Sequence, residues 1–251
     1  MARFAANLTY LFTELPMLQR FAAARRAGFD GVEILFPYDL AAKELLQAAH
    51  SSELSFVLMN TPPPNWAGGP RGFAAEPGNE ERFRHDFDRA LRYAQLLKVR
   101  HLHVMAGKAE GPDARATYLR NLAWASARAP EISLTIEPMN RVDMPGYFLD
   151  CFDLAGQIID EIDVPNLGLQ FDVYQAHMIH GDVIDTWHRH ARNVRHIQIA
   201  GCPGRHEPRA GEIDYAGFFR AVDAAGFSGW VGAEYTPRTS TEAGLRWLRS
   251  A

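Results

Sequence analysis

The chain has 251 residues, 47% of them hydrophobic, which is ample for one large core and about the usual length of a single (β/α)8 barrel. A formal net charge of −4 gives no electrostatic reason to bind nucleic acid, although a few local arginines would suffice to hold a small anion. The two cysteines, Cys151 and Cys202, lie far apart without CxxC spacing, which excludes a disulfide framework or zinc ribbon and fits a reducing cytoplasm.

In chain order, short apolar runs alternate with longer amphipathic ones. The first, RFAANLTYLF, is interrupted by Asn7 and Thr9, with Thr13 and Glu14 following, before a signal-peptide core would form. No stretch approaches the roughly 20 apolar residues of a membrane span. The helix-like LPMLQRFAAARRAG leads to GVEILF, DLAAKELLQAAHSS to SFVLMN, ERFRHDFDRALRYAQLLK to HLHVMAG, and ARATYLRNLAWASA to SLTIEPMN. FLDCFDLAGQIIDEI leads to LGLQFDVY, DVIDTWHRHARN to VRHIQIAG, DYAGFFRAVDAAG to GWVGAEYTP, and TEAGLRWLRS closes the chain. Eight strands alternating with eight helices predict an α/β fold, a (β/α)8 TIM barrel, as a single domain over residues 1–251. Gly28, Gly226 and Gly229 stand where left-handed caps would end helices.

One connection breaks the rhythm. Residues 61–80, after the third strand, are rich in Pro and Gly and carry Trp66, Arg71 and Phe73, which predicts an active-site lid. The Gly-rich pieces AGGPRG and GCPGRHEPRAG do not open a helix directly after a strand, so no dinucleotide site is read from them.

Four polar residues stand at the carboxyl ends of the late strands: Glu137 in SLTIEPMN, Asp172 in LGLQFDVY, Gln198 in RHIQIAG and Glu234 in GWVGAEYTP. Any one of them reads equally well as a solvated loop residue or a helix cap. Their spacing, close to a βαβ unit each time, instead places all four at the catalytic face of a barrel. Three converging carboxylates repel one another, and a divalent cation resolves the conflict; oxygen donors without cysteine suit Mg2+ or Mn2+. Such a site supports proton transfer next to a carbonyl through an enediolate, with Glu137 and Glu234 as acid and base on roughly opposite sides of the substrate.

Arg71 and Arg205 offer planar guanidinium groups to a substrate carboxylate. Asn7 and Asn60 end strands one and three and would donate to substrate oxygens. His101 and His103 share one side of strand four; if that side faces the barrel interior the upper one would touch substrate, and His101 is taken as a substrate contact, with a satisfied core histidine as the equal alternative. His206 and Glu207 read as support or contact residues beside Arg205, and His188 and His190 as surface residues.

The segments TIEPMN, LQFDVY, HIQIAGCPGRHEPRAGEIDY, GAEYTP, HVMAG and GGPRGFAAEPG resemble the hydroxypyruvate isomerase family, within the xylose-isomerase-like TIM barrels. The resemblance spans nearly the whole chain and is most specific in PGRHEP…GEIDY and RGFAAEPG. It implies Glu137, Asp172, Gln198 and Glu234 as metal ligands, Glu137 and Glu234 as the acid–base pair, and interconversion of hydroxypyruvate and 2-hydroxy-3-oxopropanoate. It also implies a possible homo-oligomer. The family pattern has a substrate-facing histidine three residues after the aspartate, in DxYHxQ, where this chain reads DVYQAH. Gln175 and His177 are therefore both candidates for that role. Alternatives are a 2-oxo-tetronate isomerase, a ketose 3-epimerase, a metal-dependent abasic-site nuclease and a non-catalytic sugar-acid binder.

Overall fold

The computed structural model describes residues 3–63, 71–209 and 211–249. Within them eight parallel strands close a barrel in sequence order: β1 (Arg3–Asn7), β2 (Gly31–Glu33), β3 (Ser55–Asn60), β4 (His101–His103), β5 (Ser133–Ile136), β6 (Leu167–Asp172), β7 (Val194–Ile199) and β8 (Trp230–Ala233). Around them pack α1 (Met17–Ala27), α2 (Ala42–Ser51), α3 (Glu80–Leu97), α4 (Gly111–Arg128), α5 (Phe152–Ile162), α6 (Val173–His180), α7 (Val183–His190), α8 (Tyr215–Ala224) and the short α9 (Thr241–Gly244). The predicted TIM barrel is present. Among the described residues no helix is long and apolar enough to cross a membrane.

The apolar core lies between the sheet and the helices. Phe171 of β6 stacks on Phe218 of α8 at 5.8 Å, and Trp187 of α7 meets both rings edge-on at 5.4 and 5.6 Å. Burying side chains of this size contributes roughly 1.5–3 kcal/mol each, so this cluster fastens two helices to one flank of the sheet. Inside the barrel, Ala5, Val57, Leu58 and Trp230 form a small separate apolar cluster. Above it the interior is polar, with Asn7, Glu33, Asn60, His103, Gln170, His196 and Gln198 all buried.

Several expectations are corrected. Gly28, with φ 101°, and Gly226, with φ 68°, take the left-handed conformation, but Gly229 does not; there a Cβ would meet the Phe227 ring at 2.4 Å, so close packing explains the glycine. LGLQFDVY is not strand to its end. Asp172 stops β6 and caps α6, its Oδ1 accepting from the backbone N–H of Tyr174 at 2.7 Å and of Gln175 at 3.3 Å. His188 is exposed, but His190 is buried, its Nε2 3.0 Å from Asp153 Oδ1. Of the lid, Trp66 lies outside the described residues. Phe73 is buried in the helical layer, edge-on to Phe83 at 6.4 Å, and Gly72 pairs with Ala106, so this end of the connection is packed structure.

Candidate active site

Parallel register sets the height of each side chain in the barrel. Asn7 is level with Glu33, Asn60 with His103, and Asp172 with Gln198. Glu137 and Glu234 each follow directly on the last residue of β5 and β8, where Pro138 prevents β5 from continuing. Glu137, Asp172, Gln198 and Glu234 thus meet at the carboxyl-terminal face, and their exposures of 3%, 1%, 0% and 7% put all four out of bulk solvent.

Two glutamines join them. Gln170 Nε2 donates to Glu137 Oε2 at 2.9 Å and to Gln198 Oε1 at 2.7 Å, while Gln198 Nε2 donates to Glu234 Oε2 at 2.6 Å and Glu33 Oε2 at 2.8 Å. Asn7 Nδ2 bridges the same two acids, 3.1 Å from Glu234 and 3.2 Å from Glu33. Burial, with the charges of Asp172 and Glu234 adding, pushes the Glu137 carboxyl well above the usual range. Burial pushes Glu234 up to about 7 against the pull of Arg205, and raises Asp172 against the same guanidinium. Raised proton affinity at all three carboxyls is the kind of perturbation that marks a functional site.

Arg205 enters from the β7–α8 connection. Its backbone sits in the left-handed region at φ 50°, with its carbonyl accepting from Thr236 N–H at 2.9 Å, and this conformation turns the side chain inward. Nη2 lies 2.8 Å from Asp172 Oδ2 and 3.0 Å from Glu234 Oε1, and the guanidinium stacks 4.9 Å from the Tyr174 ring centroid. Arg71 bonds to the Tyr10 hydroxyl and lies close to Glu234 and Arg205. Both arginines line a cavity of about 340 Å3 with Met139, Met144, Tyr174 and Gln175.

Three buried carboxyls and the Gln198 amide oxygen, which here accepts from Gln170, are all hard oxygen donors of the type that suits a divalent cation such as Mg2+ or Mn2+, and burial is the main cause of the raised proton affinities of the three acids. In this arrangement the Arg205 guanidinium supplies the positive charge between Asp172 and Glu234.

Other predicted contacts fall outside this cluster. His101 sits one layer lower, against the His196 ring at 5.2 Å and Ser133 Oγ at 3.0 Å, lining a cavity at the amino-terminal end with Arg3, Lys98 and Trp230. The upper histidine of the pair, His103, is the one in the site: Nδ1 lies 3.3 Å from Asn60 Oδ1 and 3.7 Å from Glu137 Oε2. Glu207 faces the next loop, accepting from Arg238 N–H at 3.2 Å and filling the space over Gly244, so it braces the β8–α9 connection. His177 turns away to Glu212.

The sequence reading missed Glu33, Gln170 and His196. Glu33 Oε1 pairs with His196 Nε2 at 2.5 Å, and a Cβ on Gly232 would lie 2.0 Å from that oxygen, so the glycine makes room for the acid. Burial drives the two partners oppositely, Glu33 up to about 8 and His196 down to about 3, which keeps the pair neutral. Because Glu33 holds its proton in the fold and not in the unfolded chain, its contribution is fully present below pH about 4.5 and is lost as pH rises toward about 8. The stability advantage of wild type over Glu33→Gln should therefore shrink across that window, by at most about 1.4 kcal/mol per pH unit. Urea denaturation of both proteins at several pH values checks this, and parallel curves would refute it.

The whole-chain comparisons match this geometry. Residues 21–251 match the model of the xylose isomerase-like TIM barrel family. The chain is 46% identical to a 2-oxo-tetronate isomerase of Cupriavidus necator, covering 99% of this chain and 98% of that protein. It is 40% identical to the hydroxypyruvate isomerase of Escherichia coli, again over 99% and 98%. This protein belongs to the hydroxypyruvate isomerase family of xylose isomerase-like TIM barrels.

Among solved structures, one described as an AP endonuclease, family 2, from Brucella melitensis superposes with a TM-score of 0.96 at 42% identity, over 100% of this chain and 99% of that one. The isomerase relatives support an enzyme of the isomerase kind. Against the family pattern, Gln175 occupies the histidine position and lines the cavity, but its Oε1 is held by Asn140, accepting from the backbone N–H at 2.8 Å and from Nδ2 at 2.7 Å. It thereby ties α6 to the turn that follows Glu137.

Proposed function

We propose that this protein is a metal-dependent isomerase that moves a carbonyl between C2 and C3 of a short hydroxy acid, converting hydroxypyruvate to 2-hydroxy-3-oxopropanoate through an enediolate. The observation that carries this reading is the pair of buried carboxyls of Glu137 and Glu234, three strands apart at the barrel mouth beside two arginines, both with proton affinities raised by burial. Glu234, pushed up to about 7, has a proton affinity matched to abstracting a proton next to a carbonyl and returning it.

One of the two takes the C3 proton and the other delivers a proton to C2, while the hydroxyl proton passes from the C3 oxygen to the C2 oxygen. One C–H bond breaks and one forms, so no oxidant is needed. Glu137, Asp172, Gln198 and Glu234 would hold the divalent ion, Mg2+ or Mn2+, which when bound polarises the substrate carbonyl as a Lewis acid. Arg205 and Arg71 hold the substrate carboxylate at the cavity wall. His103, kept neutral by burial, has an Nε2 without a hydrogen-bond partner among the described residues and offers it to a substrate oxygen.

A second reading keeps every role and adds one carbon: 2-oxo-tetronate undergoes the same shift from a 2-oxo to a 3-oxo acid. The 46% identity to the Cupriavidus necator protein favours it, and the extra hydroxymethyl group would lie toward Met139 and Met144. A nuclease reading draws no comparable support, since the four strand-end residues are buried carboxyls and an amide, and Arg205, which touches two of them, lines only a small cavity.

NMR of each acid in D2O with Mn2+-loaded and EDTA-treated protein separates the two readings. Metal-dependent product with deuterium at the reacting carbon is expected for the preferred acid. Turnover that survives EDTA would remove the metal from the mechanism, and loaded protein that converts neither acid would overturn the reading.

A further inference from the structure

On the outer side of the site, three donors that the proposed reaction does not use come together. They are an imidazole nitrogen of His177 on α6, the thiol of Cys202 directly after the β7 turn, and a carboxylate oxygen of Glu212 at the far end of the same loop, all within 4.8 Å of one another. His177 Nε2 lies 3.1 Å from Glu212 Oε2, and Cys202 Sγ lies 3.6 Å from that same oxygen. For an ion bound tetrahedrally at the usual Zn–N, Zn–O and Zn–S lengths, the N···O edge would be about 3.3 Å and the S···O edge about 3.6 Å. These two separations match their edges to within a few tenths of an ångström, and the third pair, His177 with Cys202, lies within 4.8 Å. The loop ends are joined as well, since Glu212 N–H donates to Cys202 O at 3.3 Å.

We propose that His177, Cys202 and Glu212 form a second metal site, for a borderline transition ion such as Zn2+ or Co2+, distinct in donor chemistry from the all-oxygen set at the strand ends. The thiol supplies what Mg2+ does not seek, a soft ligand, and a solvent molecule completes the coordination. Binding takes the thiol proton, which passes to solvent, so one proton leaves per ion bound. Because Arg205 lies between Cys202 and Glu212 in the chain, the ion would clamp onto α6 the loop that delivers Arg205 to Asp172 and Glu234.

The discriminating probe is Co2+, added to protein whose strand-end site has been filled with Mg2+. Thiolate-to-Co2+ charge-transfer absorption in the near ultraviolet, saturating at one ion per chain with release of one proton, is expected. It should vanish in Cys202→Ala, weaken at least tenfold in affinity in His177→Gln, and persist in Cys151→Ala, which controls for the second thiol. Each variant is first shown to be folded by its circular dichroism and thermal transition. Co2+ spectra without a charge-transfer band, or a band that survives Cys202→Ala, would overturn the site and leave a plain His–Glu ion pair. The readout does not depend on catalysis, so it stands or falls separately from the isomerase reading.

Discussion

Glu234→Gln should lower turnover of the preferred acid by about 10²–10⁴-fold, the usual loss when a positioned acid–base group is removed. The substitution preserves shape. An amide oxygen can still accept from Asn7 and Gln198, the partners of Oε2, so the protein should fold, but the amide nitrogen then faces Arg205 Nη2 where Oε1 stood 3.0 Å away, so KM should rise as well as turnover fall. Glu137→Gln should cause a loss of the same order, because among the described residues Glu137 accepts a hydrogen bond from Gln170, whose donor an amide oxygen can also satisfy. The two variants should then part company under NMR in D2O. The one that keeps the group acting on C3 should still exchange the substrate C3 proton without forming product, and the other should do neither. Turnover within tenfold of wild type in either variant would remove that residue from the proton path.

Arg205→Ala should move two affinities in opposite directions. Losing a charge-assisted contact at a buried site costs roughly 2–5 kcal/mol, so KM for the acid should rise by about 30-fold or more. The guanidinium also stands between Asp172 and Glu234, 2.8 and 3.0 Å from their oxygens, where it repels an incoming cation. Mn2+ measured by titration calorimetry in the absence of substrate should therefore bind more tightly to the variant. Without Mn2+ the variant should melt at a lower temperature than wild type, because two buried carboxyls lose their counter-ion, and Mn2+ should restore much of the difference. Arg205→Lys should keep the charge but recover little of the substrate affinity, since an ammonium lacks the planar fork. Mn2+ and substrate affinities falling together would show Arg205 to be a support of the metal ligands rather than their rival.

How much of this was legible varies with the kind of contact. Asp172 and Gln198 could be placed from the chain alone, because the first ends β6, the second stands one residue before the end of β7, and strand ends converge wherever parallel strands close a barrel. Glu33 ends β2, yet GVEILF continues apolar beyond it and gave no stop signal; its place follows from the pairing with β3, whose register shifts between Val32 and Glu33. Gln170 and His196 lie inside their strands, where a polar residue reads as outward-facing until closure turns it inward. Phe73 looked like a lid because its neighbours are Pro and Gly, and it proved to be a core residue because α3 passes beneath it.

The sequence by itself determined the alternation of strand and helix and the level of Glu137, Asp172, Gln198 and Glu234, since both follow from local periodicity and from where that periodicity stops. The tertiary structure alone decided which histidine of HLH reaches Glu137, that His177 turns to Glu212 and Cys202, and that Arg205 lies between Asp172 and Glu234. Those outcomes depend on the register of neighbouring strands and on the path of a loop whose partners lie about 30 residues away in the chain, and distances of that kind are set by closure of the barrel rather than by any local pattern.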